Sequence, residues 1–578
     1  MNKSPNAQRM EKIVSLCKRR GFIFQSSEIY GGLNGVWDYG PLGVELKRNL
    51  KNYWWRVMVR ERDDVVGMDG SILTHRAVLK ASGHEDTFSD PMVECLLTNR
   101  RFRADQVPRQ NGIAHHYLGA IGTTALIKAE LTMAEPGRFG TTGIKDKLLS
   151  IGALEDVAGI VRHSLVQAMG TLSETDLIKL NKVVTELSAE IRELPFSALL
   201  KEGKSPQAAR EAATAFYTKR GIQDPVLIGE RADKVTNSKD YNPENGSLLT
   251  EPRAFNLMFS TQMGASADPE SIAYLRPETA QSIFVQFKNI LEVSRKKLPF
   301  GIAQIGKAFR NEINPRNFTF RSREFEQMEL EYFCRAEEGM KLLDYWLEER
   351  LKFYENIGIS RDRLHVKTVP DDERAFYSKG TYDIEFDFPF GLQELEGVAY
   401  RTDYDLLQHQ KASGKSLEYF DEETKQRFVP HVVEPSAGVD RTVLALICEA
   451  YSIDEAPDEK GKMETRLVLR FHPRMAPIKC GVFPLLKNNA QLVAKAKEII
   501  DLLRPQMNVF YDEGGAIGRR YRRQDEIGTP FGVTVDFETL GENDATLRDT
   551  VTLRERDSMK QERVAIEDLA GILMSRIR

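Results

Sequence analysis

The chain has 578 residues, too many for one hydrophobic core, so roughly two to four domains are expected at ~150 residues each. Its 41% apolar and 29% charged residues describe an ordinary globular protein, and no apolar run reaches the ~18 residues that a membrane-crossing helix needs. A net charge of -4 excludes general electrostatic adhesion to nucleic acid, so RNA contact would need local basic patches and shape.

Residues 1–20 are polar and mixed in charge, without the apolar stretch of a secretory signal, and the expected location is cytoplasmic. The segment carrying Ile13, Val14, Leu16 and Cys17 reads as a helix. A glycine-rich stretch from Gly31 to Pro41 follows and cannot be regular helix. Leu42, Leu46, Leu50, Trp54 and Met58 then recur every four residues and mark one apolar helix stripe. Periodicity does not separate core from dimer interface for that stripe. Residues 1–104 are expected to form the first part of a larger domain.

Residues 105–245 read as a mainly helical insertion, with Ala/Leu/Lys/Glu-rich segments at 174–193 and 206–219 and no chemical motif. His115-His116 reads as surface. Strand-like segments dominate 246–470: 300–312 and 321–333 form a hairpin, and 383–388 alternates acidic and apolar residues as a half-buried strand. Pro473 and Pro477 suggest a linker into a small α/β domain over 475–578. Its expected elements are strands at 479–484, 508–511, 532–537 and 550–555 and helices at 490–503 and 564–577. Five scattered cysteines without a C-x-x-C pair argue against a disulfide framework and a cysteine zinc site.

The 300–333 hairpin carries the chemistry. Alternation puts Arg310 and Glu312 on one face of the first strand, and Arg321, Arg323, Phe325, Gln327, Glu329 and Glu331 on one face of the second. Arginines suit phosphate oxygens, a phenylalanine can stack on a base, and carboxylates can hold an amine or magnesium. A solvated face laced with salt bridges would look the same.

Phe309-Arg310-x-Glu312, the loop at Asn314-Pro315-Arg316 and the returning strand resemble motif 2 of the class II aminoacyl-tRNA synthetases. Gly438-Val439-Asp440-Arg441 before an apolar run resembles motif 3, and the stretch from Pro41 through the Leu46/Leu50/Trp54 helix resembles motif 1. Within that class, Ser27-Glu28-Ile29-Tyr30-Gly31-Gly32, Ala81-Ser82-Gly83-His84, Phe255-Asn256-Leu257-Met258-Phe259, Leu275-Arg276-Pro277-Glu278-Thr279-Ala280-Gln281, Arg401-Thr402-Asp403-Tyr404-Asp405-Leu406 and Glu434-Pro435-Ser436 resemble the homodimeric glycyl-tRNA synthetase family. Ser282 departs from the glycine usual there, and the cysteine pairs that some relatives carry are missing, so no zinc is expected.

The resemblance implies an α+β fold: an antiparallel-sheet catalytic domain flanked by helices, the insertion, and a C-terminal α/β anticodon-binding domain. It implies glycine activation by ATP with magnesium, transfer to tRNA(Gly), a homodimer and no membrane. Arg310 would contact the α-phosphate and Arg441 the γ-phosphate, both as catalytic groups. Glu312 would hold the adenine amino group or the ATP edge, Phe325 would stack on adenine, and Asn311 and Glu394 would complete the ATP site, Glu394 with magnesium. Glu278, Glu329, Glu434 and Ser436 would bind glycine. Arg519, Arg520, Tyr521, Arg522 and Arg523 would touch tRNA, with Tyr521 as a stacking platform, although a charge run also fits a solvated helix face. Ser82-Gly83-His84 reads as a structural turn, with proximity to the tRNA acceptor end as the alternative.

Two rival readings stay in view. A prolyl, threonyl, histidyl or seryl enzyme of the same class would need a different set from Glu329, Glu434 and Ser436. A nucleic-acid-binding accessory subunit of the glycyl type, such as serves mitochondrial DNA polymerase, need not keep Arg310, Glu312, Phe325 and Arg441, and all four stand here.

Overall fold

A computed structural model describes residues 5–133, 141–153, 156–169, 171–264, 271–457 and 463–578. The chain divides into one unit of residues 1–88 and 257–578 and a second of residues 89–256.

The first unit is built on a seven-stranded sheet. Its strands are β1 (Val65–Gly67), β2 (Phe300–Phe309), β3 (Glu324–Cys334), β4 (Leu364–Thr368), β5 (Gly380–Phe388), β6 (Gly391–Thr402) and β7 (His431–Gly438), in the order β4-β5-β6-β7-β3-β2-β1. All pairings are antiparallel except β2 with β1. The helices used below are α1 (Pro5–Arg20), α2 (Pro41–Trp55), α3 (Ala280–Ser294), α4 (Gly339–Asn356), α5 (Tyr404–Ser413) and α6 (Val439–Ala450).

Helix α2 begins with Pro41, where a missing N–H costs nothing. Leu46, Leu50, Tyr53 and Trp54 are buried in the core of this chain, joined by Met58 one turn beyond. The apolar stripe is therefore core, at about 1.5–3 kcal/mol for each fully buried large side chain. The glycine-rich stretch explains itself by close approach. A Cβ on Gly43 would lie 1.8 Å from the Phe22 carbonyl oxygen. Gly35 has φ +74°, and a Cβ there would lie 2.5 Å from Pro315. Helix α6 buries ten of its twelve residues, apolar on nearly every side, as a helix enclosed by the core must be.

Within the same unit, the C-terminal α/β part has a five-stranded sheet in the order Val509–Tyr511, Cys480–Pro484, Phe531–Val535, Thr550–Glu555, Gln561–Ala565. Helix Ala490–Leu503 buries Leu492, Ala496, Ile499, Ile500 and Leu503. Strand Gln561–Ala565 and helix Ile517–Ile527 are additions that the sequence reading lacks.

The second unit holds helices Glu174–Glu190 and Gln207–Lys219 among others, together with a three-stranded antiparallel sheet. Its central strand Gln110–Gly122 pairs with Phe196–Leu200 and Pro225–Ser238. His115 is not a surface residue: it is buried, with Nδ1 3.3 Å from a Glu230 carboxylate oxygen. The strand's alternate residues face the neighbouring helices, and His115 falls on the covered side. All five cysteines are buried and free.

Candidate active site

A cavity of about 380 Å³ opens on the face of the sheet formed by β3, β5, β6 and β7, within the ~300–1,000 Å³ range of small-molecule sites. Arg310, Glu312, Phe325, Glu394, Glu434, Ser436 and Arg441 all line it. Asn311, Glu278 and Glu329 do not stand in its wall.

Arg310 comes from a loop and not from a strand. Strand β2 ends at Phe309, so alternation does not govern Arg310 and Glu312. The Arg310 amide donates to the Arg323 carbonyl, its Nε donates to the Pro277 carbonyl (3.0 Å), and its guanidinium sits 5.4 Å from the Phe325 ring centre. Arg323 is occupied by backbone, donating to the carbonyls of Glu312 (2.9 Å) and Asn34 (2.7 Å). The Asn311 amide donates to the Leu257 carbonyl.

Arg441 lies in the first turn of α6, where the helix dipole disfavours a cation. Asp440 beside it offsets that, and is itself fixed by the Tyr39 hydroxyl (2.6 Å), Lys47 Nζ (2.9 Å) and the Glu326 amide (2.7 Å). The Arg441 guanidinium lies 4.6 Å from the Phe320 ring centre and 3.3 Å from a Glu394 carboxylate oxygen. Asp383 of β5 also lines the cavity. Burial and the Glu394 charge push its carboxyl up to about 6. Carboxylates such as Asp383 and Glu394, lining one cavity, are the oxygen ligands that suit a divalent cation.

The opposite end of the cavity is acidic and closed. Both Glu434 oxygens accept from Arg401 Nη1 at 3.0 Å, while Arg401 Nε and Nη2 donate to the two Asp405 oxygens at 2.8 and 2.9 Å. Ser436 donates to Glu329 (2.8 Å), and the Thr279 hydroxyl holds the other Glu329 oxygen. Glu329 therefore stands behind Ser436. Glu278 is near-buried and held by Gln281 (3.0 Å) and by the His84 ring (3.3 Å), which in turn bonds Ser82 (2.8 Å). The Ser82-Gly83-His84 turn thus braces Glu278.

Burial pushes the Glu434 carboxyl up to about 8, partly offset by Arg401. Glu329 is raised by burial and by the Glu278 charge. For Glu278 burial also works upward, but His84, Arg401 and Gln281 together outweigh it and leave the carboxyl below the usual range. The sequence reading assigned no role to Arg401, Asp405, Thr279 or Asp383. A buried arginine in a strand was the signal for the first.

The run at 519–523 lies on helix Ile517–Ile527. Arg520 is buried and donates to the carbonyls of Gly515 and Pro484. Tyr521 is packed against Phe483, its hydroxyl shared with Thr534 (2.6 Å), so its ring is not a free stacking platform. Arg523 pairs with Asp512 (2.7 Å), and Arg519 is the exposed member of the run.

Residues 264–451 match the model of the tRNA synthetase class II core domain (G, H, P, S and T), and residues 479–576 match that of the anticodon binding domain. The chain is 45% identical to a glycine–tRNA ligase of Thermus thermophilus, over 99% of both chains. It is 42% identical to that of Thermobifida fusca (99% of this chain, 98% of the relative) and 41% to that of Rhodopirellula baltica (98% and 99%). Identity of this order along the whole length, with the class II core and the anticodon domain both present, makes the chain a member of the glycine–tRNA ligase family.

Proposed function

We propose that the cavity binds ATP and glycine side by side, and that the enzyme forms glycyl-adenylate, releases pyrophosphate and transfers glycine to the 3′-terminal adenosine of tRNA(Gly). The observation that carries this is the pairing, in one cavity, of an arginine-lined open end with a buried carboxylate end.

Phe325 offers its ring to adenine, with Glu312 at the base edge. Arg310 neutralises charge developing at the α-phosphate, and Arg441 receives the γ-phosphate. Asp383 and Glu394 would hold a magnesium ion, which when bound offsets charge on the triphosphate oxygens. Asn311 supports the ATP loop through its backbone. The glycine ammonium meets Glu434, with Ser436 forming the adjoining wall and Glu278 and Glu329 setting the field behind it. Its carboxylate then attacks the α-phosphorus in line. No side chain forms a covalent bond, so positioning and electrostatics supply the rate.

Selection follows from rigidity. An apolar pocket separates one methylene by only ~1–3 kcal/mol. Here the wall is a glutamate whose two oxygens are fixed by a buried arginine, and a β-carbon would have to displace it. In the C-terminal part, Arg519 and its neighbours on helix Ile517–Ile527 are the tRNA contact we favour. The family resemblance supports a cytoplasmic homodimer. Among the described residues no helix is long and apolar enough to cross a membrane. Charging assays test the reading: labelled glycine should load onto tRNA(Gly) and onto no other tRNA, and loading of another amino acid would overturn it.

A further inference from the structure

Glu331 has no place in the reaction just described, yet it is fully buried, and neither of its carboxylate oxygens has a hydrogen-bond partner. Its position is unusual. The β3–β7 register pairs Glu329 with Ser436 and Tyr332 with Val433, which sets Glu331 directly across from Glu434. On its other side β2 offers only Ile302. Oxygens of Glu329, Glu331 and Glu434 lie within 4.8 Å of one another. Like charges directly opposite on a strand pair destabilise it, and more so without water.

The surrounding charges do not relieve Glu331. Among the described residues Arg401 of β6 is the cation that acts on it, and its guanidinium is already divided between Glu434 and Asp405 of α5. Glu329 on its own strand adds a further negative charge and has both oxygens engaged by Ser436 and Thr279. With those oxygens taken, the three carboxylates do not present an open set of ligands to a cation. The remaining way to satisfy a buried carboxyl beside a carboxylate is to keep it neutral, so that it becomes a donor. Burial and the neighbouring Glu434 charge both push Glu331 in that direction.

We propose that Glu331 is held as the carboxylic acid and donates its hydrogen to the Glu434 carboxylate across the strand pair, fixing Glu434 in the orientation that receives the glycine ammonium. Glu331 touches no substrate. It is a positioning residue, and the inference rests on the glycine pocket proposed above.

The test is glycine-dependent ATP–pyrophosphate exchange with Glu331→Gln, Glu331→Leu and, as a control on the pocket, Glu434→Gln, each checked by thermal unfolding. Glu331→Leu removes the donor and should raise the glycine KM about tenfold or more, with the ATP KM within about twofold of the parent. Glu331→Gln keeps a permanently neutral donor and should restore most of what leucine loses. Should the leucine variant not fold, Glu331→Asp withdraws the acid from its strand partner and should raise the glycine KM likewise. A glutamine variant as impaired as leucine, or a leucine variant with the parent's glycine KM, overturns the inference. If Glu434→Gln leaves the glycine KM unchanged, the pocket assignment itself falls. If Glu434→Gln raises it and Glu331→Leu does not, only the role of Glu331 falls.

Discussion

At the acidic end of the cavity Arg401, Asp405 and Glu434 are buried and hold one another at 2.8–3.0 Å, and Glu331 lies beneath them. At the proposed phosphate end Arg310 and Arg441 are partly exposed and anchored mainly by backbone carbonyls and aromatic faces. The contrast matches the ligands proposed for the two ends. A triphosphate brings its own charge and can be met by arginines that water has kept cheap to hold ready. Glycine brings little more than an ammonium and a carboxylate, so its site must be preformed, and only packing can keep buried carboxylates in place.

Substitutions at the two ends should therefore fail differently. Arg401→Leu would strand Asp405 and Glu434 as uncompensated buried charges, at a cost of about 3–5 kcal/mol in folding, visible as a lower denaturant midpoint. Arg310→Ala should leave that midpoint unchanged and lower glycine-dependent exchange about 10²–10³-fold. A normal midpoint for the first or a normal rate for the second would erase the distinction. Gly397→Ala sharpens it between the ends. A Cβ there meets nothing within 4 Å in the free protein, yet Gly397 lines the cavity opposite Ser436. Its Tm should match the parent while kcat/KM falls about tenfold, and a lowered Tm would show that the space is not free.

The last effect is pH-dependent. Burial raises the Glu331 and Glu434 carboxyls above the ordinary 4.5 together, so the native pair holds a proton that the unfolded chain releases. That proton's contribution to stability is whole below about 4.5 and is lost as pH rises through the raised native value of the pair. Unliganded enzyme should lose Tm across that window, roughly 1 °C for each kcal/mol in a chain of 578 residues. A flat profile would mean that both carboxyls are ionised throughout.

The two ends also differed in how far the sequence exposed them. Strands β2 and β3 followed from alternation, and the gathering of Phe325, Arg310 and Arg441 around one cavity from motif spacing, because such residues sit at turns and helix starts with local signatures. Burial of Glu329 and Glu331 did not follow. A carboxylate on a polar strand face looks solvated until a distant arginine is seen to close over it, and Arg401 arrives from β6. Asp383 read as a solvent-side position for the same reason. In the second unit, strand Pro225–Ser238 is buried at consecutive residues and then exposed, so it carries no period-two signal. The helix Ile517–Ile527 shows the reverse error: five charged or aromatic residues in a row promised a surface, and two of them, Arg520 and Tyr521, pack inward.

The most direct test of the central claim is ATP–pyrophosphate exchange by the purified enzyme with magnesium, each standard amino acid added singly. The account predicts exchange with glycine alone. Exchange with alanine or serine at a comparable rate would contradict the rigid carboxylate wall, and exchange with none, from folded protein, would contradict the assignment of the cavity.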